Sequence, residues 1–198
     1  MHPAADLVLR FLTFAIVHSL LATPSIVARC HYYIPGTQRW MRLFYNILSI
    51  IMFGWVLLAW PGAPVIYMIP GAWSLLFYFM QLAALALLIK CAAQLGIIEF
   101  LGFTQHDADP AQFVTAGCYG KVRHPQYSLG MLFMILNPVM TAKWLMLTVM
   151  SGLYFWWGGY IEEKRLCRDV GNDFRKYQKL VPMFIPKFSR RKQPPNRF

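Results

Sequence analysis

An all-α integral membrane protein with five transmembrane helices is the fold that the sequence predicts. Of the 198 residues, 58% are hydrophobic and only 14% are charged, whereas about a quarter of the residues in a soluble domain are charged. The chain contains five apolar runs, and all but the fourth reach or approach the roughly 20 residues that a helix needs to cross a bilayer. The basic residues cluster in three regions that five crossings would place on one side of the membrane.

The five predicted spans are separated by short polar or turn-forming segments. The first span contains one charge, Arg10, and no positive cluster precedes it, so we predict a transmembrane helix and not a cleaved signal. The last two spans are joined by a tight turn at 137–143 and form a helical hairpin. The spans are Leu7–Val27, Leu43–Trp60, Ala72–Ile89, Tyr127–Met140 and Trp144–Ile161.

The basic residues also predict the orientation of the chain. Residues 29–42, residues 90–126 and the tail after Glu163 hold 17 of the 19 Lys and Arg residues. Because Lys and Arg accumulate in cytoplasmic loops, these regions are predicted to be cytoplasmic, with the N-terminus outside and the C-terminus in the cytoplasm. Topology and attraction to anionic lipids explain most of the net charge of +11. Nucleic-acid binding is not expected, because no recognition fold is apparent.

The tail after the fifth span is predicted to contain a cytoplasmic amphipathic helix. Its apolar residues recur every third or fourth position, its polar face is basic, and it is interrupted near Gly171. Such a helix lies along the membrane surface. Residues 181–186 are then predicted to return, extended, to the membrane or the core. The recurring apolar residues are Leu166, Val170, Phe174, Tyr177 and Leu180.

The whole chain, 1–198, is predicted to form a single membrane domain of unequal parts. Residues 1–70 form an N-terminal helical hairpin that contains few unusual polar residues. Residues 72–188 contain most of the side chains that could perform chemistry, and residues 189–198 form a basic tail.

The four cysteines are not predicted to form a framework or a metal site. All four map to or near the predicted cytoplasmic side and no CxxC motif occurs, so neither a disulfide framework nor a zinc site is expected. Cys118 is predicted to be a small packing residue, with a nucleophilic role as the alternative.

The most unusual stretch is a short polar segment, residues 117–127, between two apolar runs. Within it, Arg123 and His124 immediately precede Pro125. Proline suits the first turn of a helix and pushes the residue before it out of helical geometry. The basic pair is therefore predicted to lie at a helix N-terminus, where backbone N–H groups and the helix dipole favour an anion.

Two adjacent carboxylates, Glu162 and Glu163, follow the fifth predicted span. Carboxylates at the end of a membrane helix are costly unless they are paired, hydrated or functional. They could form a charge belt with neighbouring basic residues. If they instead meet the basic helix N-terminus, the combination suits a zwitterionic or polyol ligand, such as a nucleoside carrying an amino acid or a dinucleotide.

In chain order, the candidate motifs are His18–Ala22, Arg42–Asn46 and Glu99–Gly102, followed by Gly117–Tyr119, Arg123–Tyr127, Glu162–Leu166, Gly171–Tyr177 and Val181–Pro186. In this order, they resemble the membrane methyltransferases that include isoprenylcysteine carboxyl methyltransferases, phospholipid N-methyltransferases and bacterial methanethiol S-methyltransferases. The resemblance covers about residues 72–188, and the front half is most similar to the bacterial small-thiol branch. It implies a multi-pass protein of the bacterial inner membrane.

The resemblance implies S-adenosylmethionine as the methyl donor. Its methionyl carboxylate would lie against His124, and Glu162 would bind its amino group or ribose hydroxyls. Aromatic rings such as Tyr119 and Tyr127 would hold the sulfonium by cation–π attraction. The implied cofactor contacts are Phe113, Val114, Gly117, Tyr119, Arg123, His124, Pro125, Gln126, Tyr127 and Glu162.

The methyl acceptor is predicted to be a small or lipid-like molecule, with a thiol favoured. Prenylcysteine methyltransferases place an arginine one turn before the first glutamate to hold the substrate carboxylate, whereas this chain has Gly158. A thiol needs deprotonation, for which Glu163 and His18 are both candidates, although His18 could instead bond a neighbouring helix.

Other functions remain open from the sequence. They are prenylcysteine carboxyl methylation, phospholipid amine methylation, an NADPH-dependent membrane reductase and a non-enzymatic membrane protein on the same scaffold. The sequence makes no prediction of oligomeric state.

Overall fold

The computed structural model describes residues 2–33, 38–96 and 114–187, and most of these are helical. Of the predicted site residues, Phe113 lies outside the described part of the chain. The elements are α1 (Pro3–Leu21), α2 (Pro24–Tyr33), α3 (Gln38–Leu57), β1 (Val65–Met68), α4 (Ala72–Ala93), α5 (Pro125–Ile135), β2 (Val139–Thr141), α6 (Ala142–Asp169) and α7 (Asn172–Leu180).

Within the described residues, three helices are long and apolar enough to cross a membrane: α1, residues Trp40–Leu57 of α3, and α4. The prediction of a largely helical membrane protein is thus confirmed, but the predicted number of five spans is not. Helix α5 has only 11 residues, which corresponds to about 16 Å of helix against a hydrocarbon core of roughly 30 Å. Five crossings therefore stay a prediction.

Large apolar side chains cover the outside of the helices. Ile50 is 73% exposed, and Leu75 and Phe79 are each 68% exposed. In water a surface this apolar would drive association, whereas in a bilayer it contacts lipid. A smaller buried core joins α1, α3, α5 and α6, and consists of Leu7, Phe11, Val56, Ala59, Met134 and Leu147.

A two-stranded antiparallel ribbon connects segments that the sequence pattern predicted to be a loop and a tight turn. In it, Val65 lies opposite Thr141 and Met68 lies opposite Val139. Every residue of β1 is apolar and exposed, so the alternation that indicates a half-buried strand is missing. The ribbon ties the connection between α3 and α4 to the connection between α5 and α6.

Cys118 forms a disulfide with Cys91, so the prediction that the cysteines form no disulfide is wrong, and Cys118 is not the simple packing residue that was expected. The two Cα atoms lie 5.7 Å apart and are separated by 27 residues in sequence. The bond joins the last turn of α4 to the polar segment. Helix α4 brings Cys91 to this position through its length and direction, which cysteine spacing does not encode. Cys30 and Cys167 are free.

We expect the denatured, unreduced protein to expose two thiols and the reduced protein four. Cys30 and Cys167 supply the first two, and reduction adds Cys91 and Cys118. Maleimide labelling followed by the intact mass of the chain counts them. Cys118→Ser is the matched control, since it should expose three thiols under both conditions. Four labels on the unreduced wild-type chain would contradict the pairing.

The predicted interruption of the amphipathic helix near Gly171 is confirmed. Gly171 immediately precedes the first residue of α7 and has a φ of +71°. Glycine adopts this left-handed geometry at no steric cost, so the chain can change direction there between α6 and α7. Helix α7 then folds back so that Phe174, Tyr177 and Val181 form a second buried cluster. This cluster supports the residues around the end of α6.

Candidate functional site

The polar segment is fixed to the end of α4 by contacts that depend on its first glycine. Gly117 has a φ of +62°, and a Cβ added there would lie 2.3 Å from Gln94 Nε2. Gln94 Oε1 accepts a hydrogen bond from the Cys118 backbone N–H at 3.1 Å. Together with the Cys91–Cys118 disulfide, these contacts fix the turn that precedes Tyr119.

Tyr119 is buried and linked to two other parts of the site. Its backbone carbonyl accepts a hydrogen bond from the Tyr177 hydroxyl at 2.5 Å. Burial and the nearby Glu162 carboxylate raise the pKa of Tyr119 to about 12. The phenol therefore stays protonated at neutral pH and lies within electrostatic reach of Glu162.

Arg123 and Glu163 form a bidentate ion pair at the centre of the site. Arg123 Nε donates to Glu163 Oε1 at 2.6 Å, and Nη2 donates to Oε2 at 3.0 Å. The remaining guanidinium nitrogen, Nη1, donates to the backbone carbonyls of Gln178 and Val181. The two side chains are only 11% and 10% exposed. Arg123 is thus occupied by protein partners, which disfavours the predicted contact of Arg123 with the cofactor.

The surroundings of Glu163 make it a weak base. Burial alone would raise the pKa of Glu163, but hydrogen bonds from His124, Arg123 and Gln178 and the charge of Arg123 lower this pKa to about 2. A general base works best when its pKa lies near the operating pH, and a cysteine-type thiol has a pKa of about 8.5. Glu163 is therefore poorly suited to deprotonate a thiol, whereas its hydrogen bonds hold the side chains of Arg123 and His124 in place.

We expect the protein to lose stability as the pH falls from about 5 towards 2. Because folding lowers the pKa of Glu163 to about 2, its stabilising contribution is complete above the unfolded pKa and disappears as the pH falls through the folded pKa. The shift corresponds to about 3 kcal/mol. Unfolding by denaturant at a series of pH values measures the decline. Glu163→Gln should flatten it, and parallel curves for the two proteins would contradict the assignment.

His124 lies between the two carboxylates of α6. Its Nε2–H donates to Glu163 Oε1 at 3.1 Å, and its Nδ1 lies 3.6 Å from Glu162 Oε2. The imidazole also stacks on the ring of Tyr127, which in turn stacks on Phe155, with an angle of 7° between the planes in each pair. This column of three rings fixes both nitrogens of His124 and orients Tyr127 towards Glu162.

Residues 182–184 return to the start of α5 and cover one side of the site. The backbone N–H groups of Arg123 and His124 donate to carbonyls of this segment at 2.9 and 3.1 Å. The Ser128 hydroxyl donates to a third carbonyl at 2.7 Å. The predicted return of this segment to the protein is thus confirmed at 182–184, although bends at 181 and 183–185 replace the predicted extended chain.

Two glycines of α6 leave room for this arrangement. A Cβ on Gly159 would lie 2.8 Å from Met183 Cε and 3.3 Å from Phe184 Cζ, so only glycine lets the returning segment approach α6 without a shift. At Gly158, one position earlier, an added Cβ would lie 3.9 Å from the Tyr127 hydroxyl, which is ordinary contact distance. The site is therefore open beside Tyr127 at the position where prenylcysteine methyltransferases are expected to have an arginine.

Two polar groups in this region have unused hydrogen-bonding capacity. Gln126 Nε2 is buried and has no hydrogen-bond partner within the described ranges. The Glu162 side chain is 39% exposed and accepts one long hydrogen bond, from the Tyr127 hydroxyl at 3.4 Å. A buried donor without a partner costs free energy, so the two groups could bind a polar ligand.

The structure brings most of the predicted site residues together. Most of these residues lie at the start of α5 and at the end of α6, and we call them the main group. Tyr119 lies near this group, because the charge of Glu162 affects the Tyr119 phenol. Gly117 lies in the turn before Tyr119. Val114 is the first described residue of the loop that leads to this turn, and more than a third of its surface is exposed. The main group consists of Arg123, His124, Pro125, Gln126, Tyr127, Glu162 and Glu163.

His18, the second predicted base, lies in a separate polar cluster between α1 and α3. Its Nδ1 is 2.9 Å from Ser49 Oγ, and its Nε2 is 2.6 Å from the Tyr45 hydroxyl. The prediction that it bonds a neighbouring helix is therefore confirmed. The ring also contacts Tyr154 of α6 edge-on, with the centroids 6.3 Å apart.

Three residues of the site were not identified from the sequence. Gln178 holds Glu163 Oε2 through its Nε2 at 2.8 Å, Phe155 completes the ring column, and Gln94 fixes the polar segment. Gln178 follows Tyr177 on the polar face of an amphipathic helix, where a polar residue is expected in any case. None of the three belongs to a motif that indicates chemistry.

The chain is related in sequence to methanethiol S-methyltransferases, and the predicted resemblance to that branch is confirmed. The methanethiol S-methyltransferase of Pseudomonas sp. is 26% identical over 183 residues, which is 88% of this chain and 70% of that protein. Methanethiol S-methyltransferase 2 of Bradyrhizobium diazoefficiens is 28% identical over 90% of this chain and 72% of that protein.

A third relative matches over a shorter stretch. The methanethiol S-methyltransferase of Crocosphaera subtropica is 32% identical over 87 residues, or 44% of this chain. The chain thus spans about a third of that relative, at 34%, and about seven tenths of the two others. No family model matches the chain, and no solved structure matches it.

Proposed function

We propose that this protein transfers the methyl group of S-adenosylmethionine to a small thiol of the methanethiol type. The observation that supports the proposal most strongly is the sequence relationship to methanethiol S-methyltransferases over nine tenths of the chain. The arrangement around His124, Tyr127 and Glu162 adds chemical support, because the motifs that carry the resemblance meet there.

The residues of the site fit S-adenosylmethionine. The partly exposed Glu162 carboxylate suits the ligand's ammonium group or ribose hydroxyls. The buried Gln126 Nε2, which has no acceptor among the residues that the structure describes, suits an acceptor atom on the adenine or the carboxylate. The Tyr119 and Tyr127 rings suit the sulfonium, since cation–π attraction is worth about 2 kcal/mol when the cation is desolvated. When bound, the ligand supplies an electrophilic methyl group.

The protein's own contribution to the reaction is alignment and exclusion of water. In-line displacement needs the donor and acceptor held in one geometry, which can supply roughly 7–11 kcal/mol of the barrier. The ring column and the Arg123–Glu163 pair give the site the rigid support that alignment requires. Gly158 leaves space without a cation beside Tyr127, which favours a neutral or thiol acceptor over a carboxylate.

The same proposal includes the membrane setting. We place the site at the cytoplasmic face of a bacterial inner membrane, with the N-terminus outside and lipid around the helices. The support is the concentration of Lys and Arg residues in the segments that adjoin the site.

Thermal unfolding with and without ligand tests the proposed function. S-adenosylmethionine at about 100 times its Kd should stabilise the protein by about 2.7 kcal/mol, whereas NADPH should have no effect. Protection by NADPH alone would instead indicate a reductase. Protection by neither ligand in a folded preparation would contradict the proposal.

A further inference from the structure

The polar cluster around His18 has a hydrogen-bond order that can be assigned atom by atom. Ser49 Oγ lies 2.6 Å from the backbone carbonyl of Tyr45 and donates its only hydrogen there. Ser49 Oγ can therefore only accept from His18 Nδ1, at 2.9 Å. The neutral imidazole then has its hydrogen on Nδ1 and a lone pair on Nε2.

This order gives the Tyr45 hydroxyl a base directly behind it. His18 Nε2, which has the lone pair, lies 2.6 Å from the Tyr45 oxygen and accepts its hydrogen. The phenol oxygen keeps its own lone pairs for a further donor. The arrangement matches the one that activates a nucleophile, in which a base contacts the reacting hydroxyl and a third residue orients the base. Here the hydroxyl is that of Tyr45, the base is His18 and the third residue is Ser49.

The cluster adjoins the proposed methyl-transfer site. The titratable groups packed around the His18 ring are Tyr45 from α3 and Tyr154 from α6. The ring of Tyr154 lies 6.4 Å from that of Phe155, and Phe155 stacks on Tyr127 with the centroids 5.0 Å apart. The Tyr127 hydroxyl donates to Glu162. Tyr154 and Phe155 thus connect the Tyr45–His18 pair to Tyr127, whose hydroxyl contacts Glu162.

We propose that Tyr45 and His18 form a relay that removes the proton of the acceptor thiol during methyl transfer. This inference rests on the proposed function and identifies the base that it requires. The thiol S–H proton passes to the Tyr45 oxygen as the Tyr45 proton passes to His18 Nε2. The thiolate sulfur bonds the methyl carbon, and the sulfonium sulfur keeps the electron pair of the broken bond. The products are a thioether, S-adenosylhomocysteine and a proton on His18, which is later released to solvent.

Two thiols of different acidity test the relay. Tyr45→Phe should slow methylation of methanethiol by about 100-fold, a typical effect of general-base catalysis. A fluorinated ethanethiol, which is mostly ionised at the assay pH, needs no base, so its rate should change by less than about threefold. Tyr78→Phe makes the same change on an exposed face of α4 and should alter neither rate.

Two readouts that do not depend on turnover complete the test. Calorimetry should give the same S-adenosylmethionine affinity for Tyr45→Phe and the wild type. Nitrogen NMR of ¹⁵N-histidine-labelled protein should show His18 with its hydrogen on Nδ1, and Tyr45→Phe should shift the Nε2 resonance. If Tyr45→Phe does not fold, the wild-type spectrum decides, since a hydrogen on Nε2 would overturn the relay.

The outcomes separate the relay from the proposed function. Equal losses for both thiols, or no loss for either, would overturn the relay while methyl transfer by the wild type stands. A wild-type protein that methylates neither thiol would instead overturn the proposed function, and the relay with it.

Discussion

Replacing Arg123 with methionine is expected to destabilise the protein by about 3–5 kcal/mol, because the substitution leaves a buried carboxylate without its cation. Glu163 is 10% exposed and receives two hydrogen bonds from Arg123. The same guanidinium also holds the carbonyls of Gln178 and Val181. The free energy of unfolding in detergent, measured with denaturant, gives the size of the loss.

A double-mutant cycle distinguishes pairing from packing. Arg123→Met combined with Glu163→Met should be more stable than Arg123→Met alone, since removing both charges leaves no unpaired ion. It should not restore methyl transfer, because His124 loses the partner of its Nε2. The exposed pair of Lys176 and Asp173 is the control, and its loss should cost less than about 1 kcal/mol. Additive losses at positions 123 and 163 would contradict the pairing.

Glu162→Gln is expected to weaken binding of S-adenosylmethionine by at least about tenfold. The Glu162 carboxylate is partly exposed and can accept hydrogen bonds from the ligand. A hydrogen bond to a charged group contributes about 1.5–3 kcal/mol. Glutamine keeps the shape of the side chain and removes the charge. Calorimetry with the purified protein measures the change in Kd.

Asp169→Asn is the matched control for this substitution. Asp169 lies seven residues further along α6 and its side chain is 43% exposed, so its loss of charge should leave the Kd unchanged. Equal affinities for wild type and Glu162→Gln would remove Glu162 from the binding site. Equal losses in both variants would show that net charge, and not contact, controls binding.

Much of the architecture followed from local sequence signals. The start of α5 at Pro125 and the non-helical geometry of His124, with a φ of −122°, match the predictions from proline chemistry. The break before α7 followed from Gly171. Apolar runs located α3 and α4 to within a few residues. These signals are local, so the sequence contains them in full.

What the sequence did not predict depends on contacts between distant segments. Cys91 and Cys118 pair across 27 residues, and the β1–β2 ribbon pairs strands separated by the whole of α4 and α5. The roles of Glu162 and Glu163 differ for the same reason. Adjacent residues of a helix point in different directions, so one reaches Arg123 and is buried while its neighbour stays partly exposed.

The most direct test of the central claim is transfer of an isotopically labelled methyl group from S-adenosylmethionine to methanethiol by the purified protein. We expect labelled dimethyl sulfide to form with the wild type, and to fall to background when His124 is replaced by alanine. Folded, ligand-binding protein that labels a phospholipid or a prenylcysteine and no thiol would contradict the proposed acceptor. Folded protein that transfers no methyl group to any of the three would contradict the assignment as a methyltransferase.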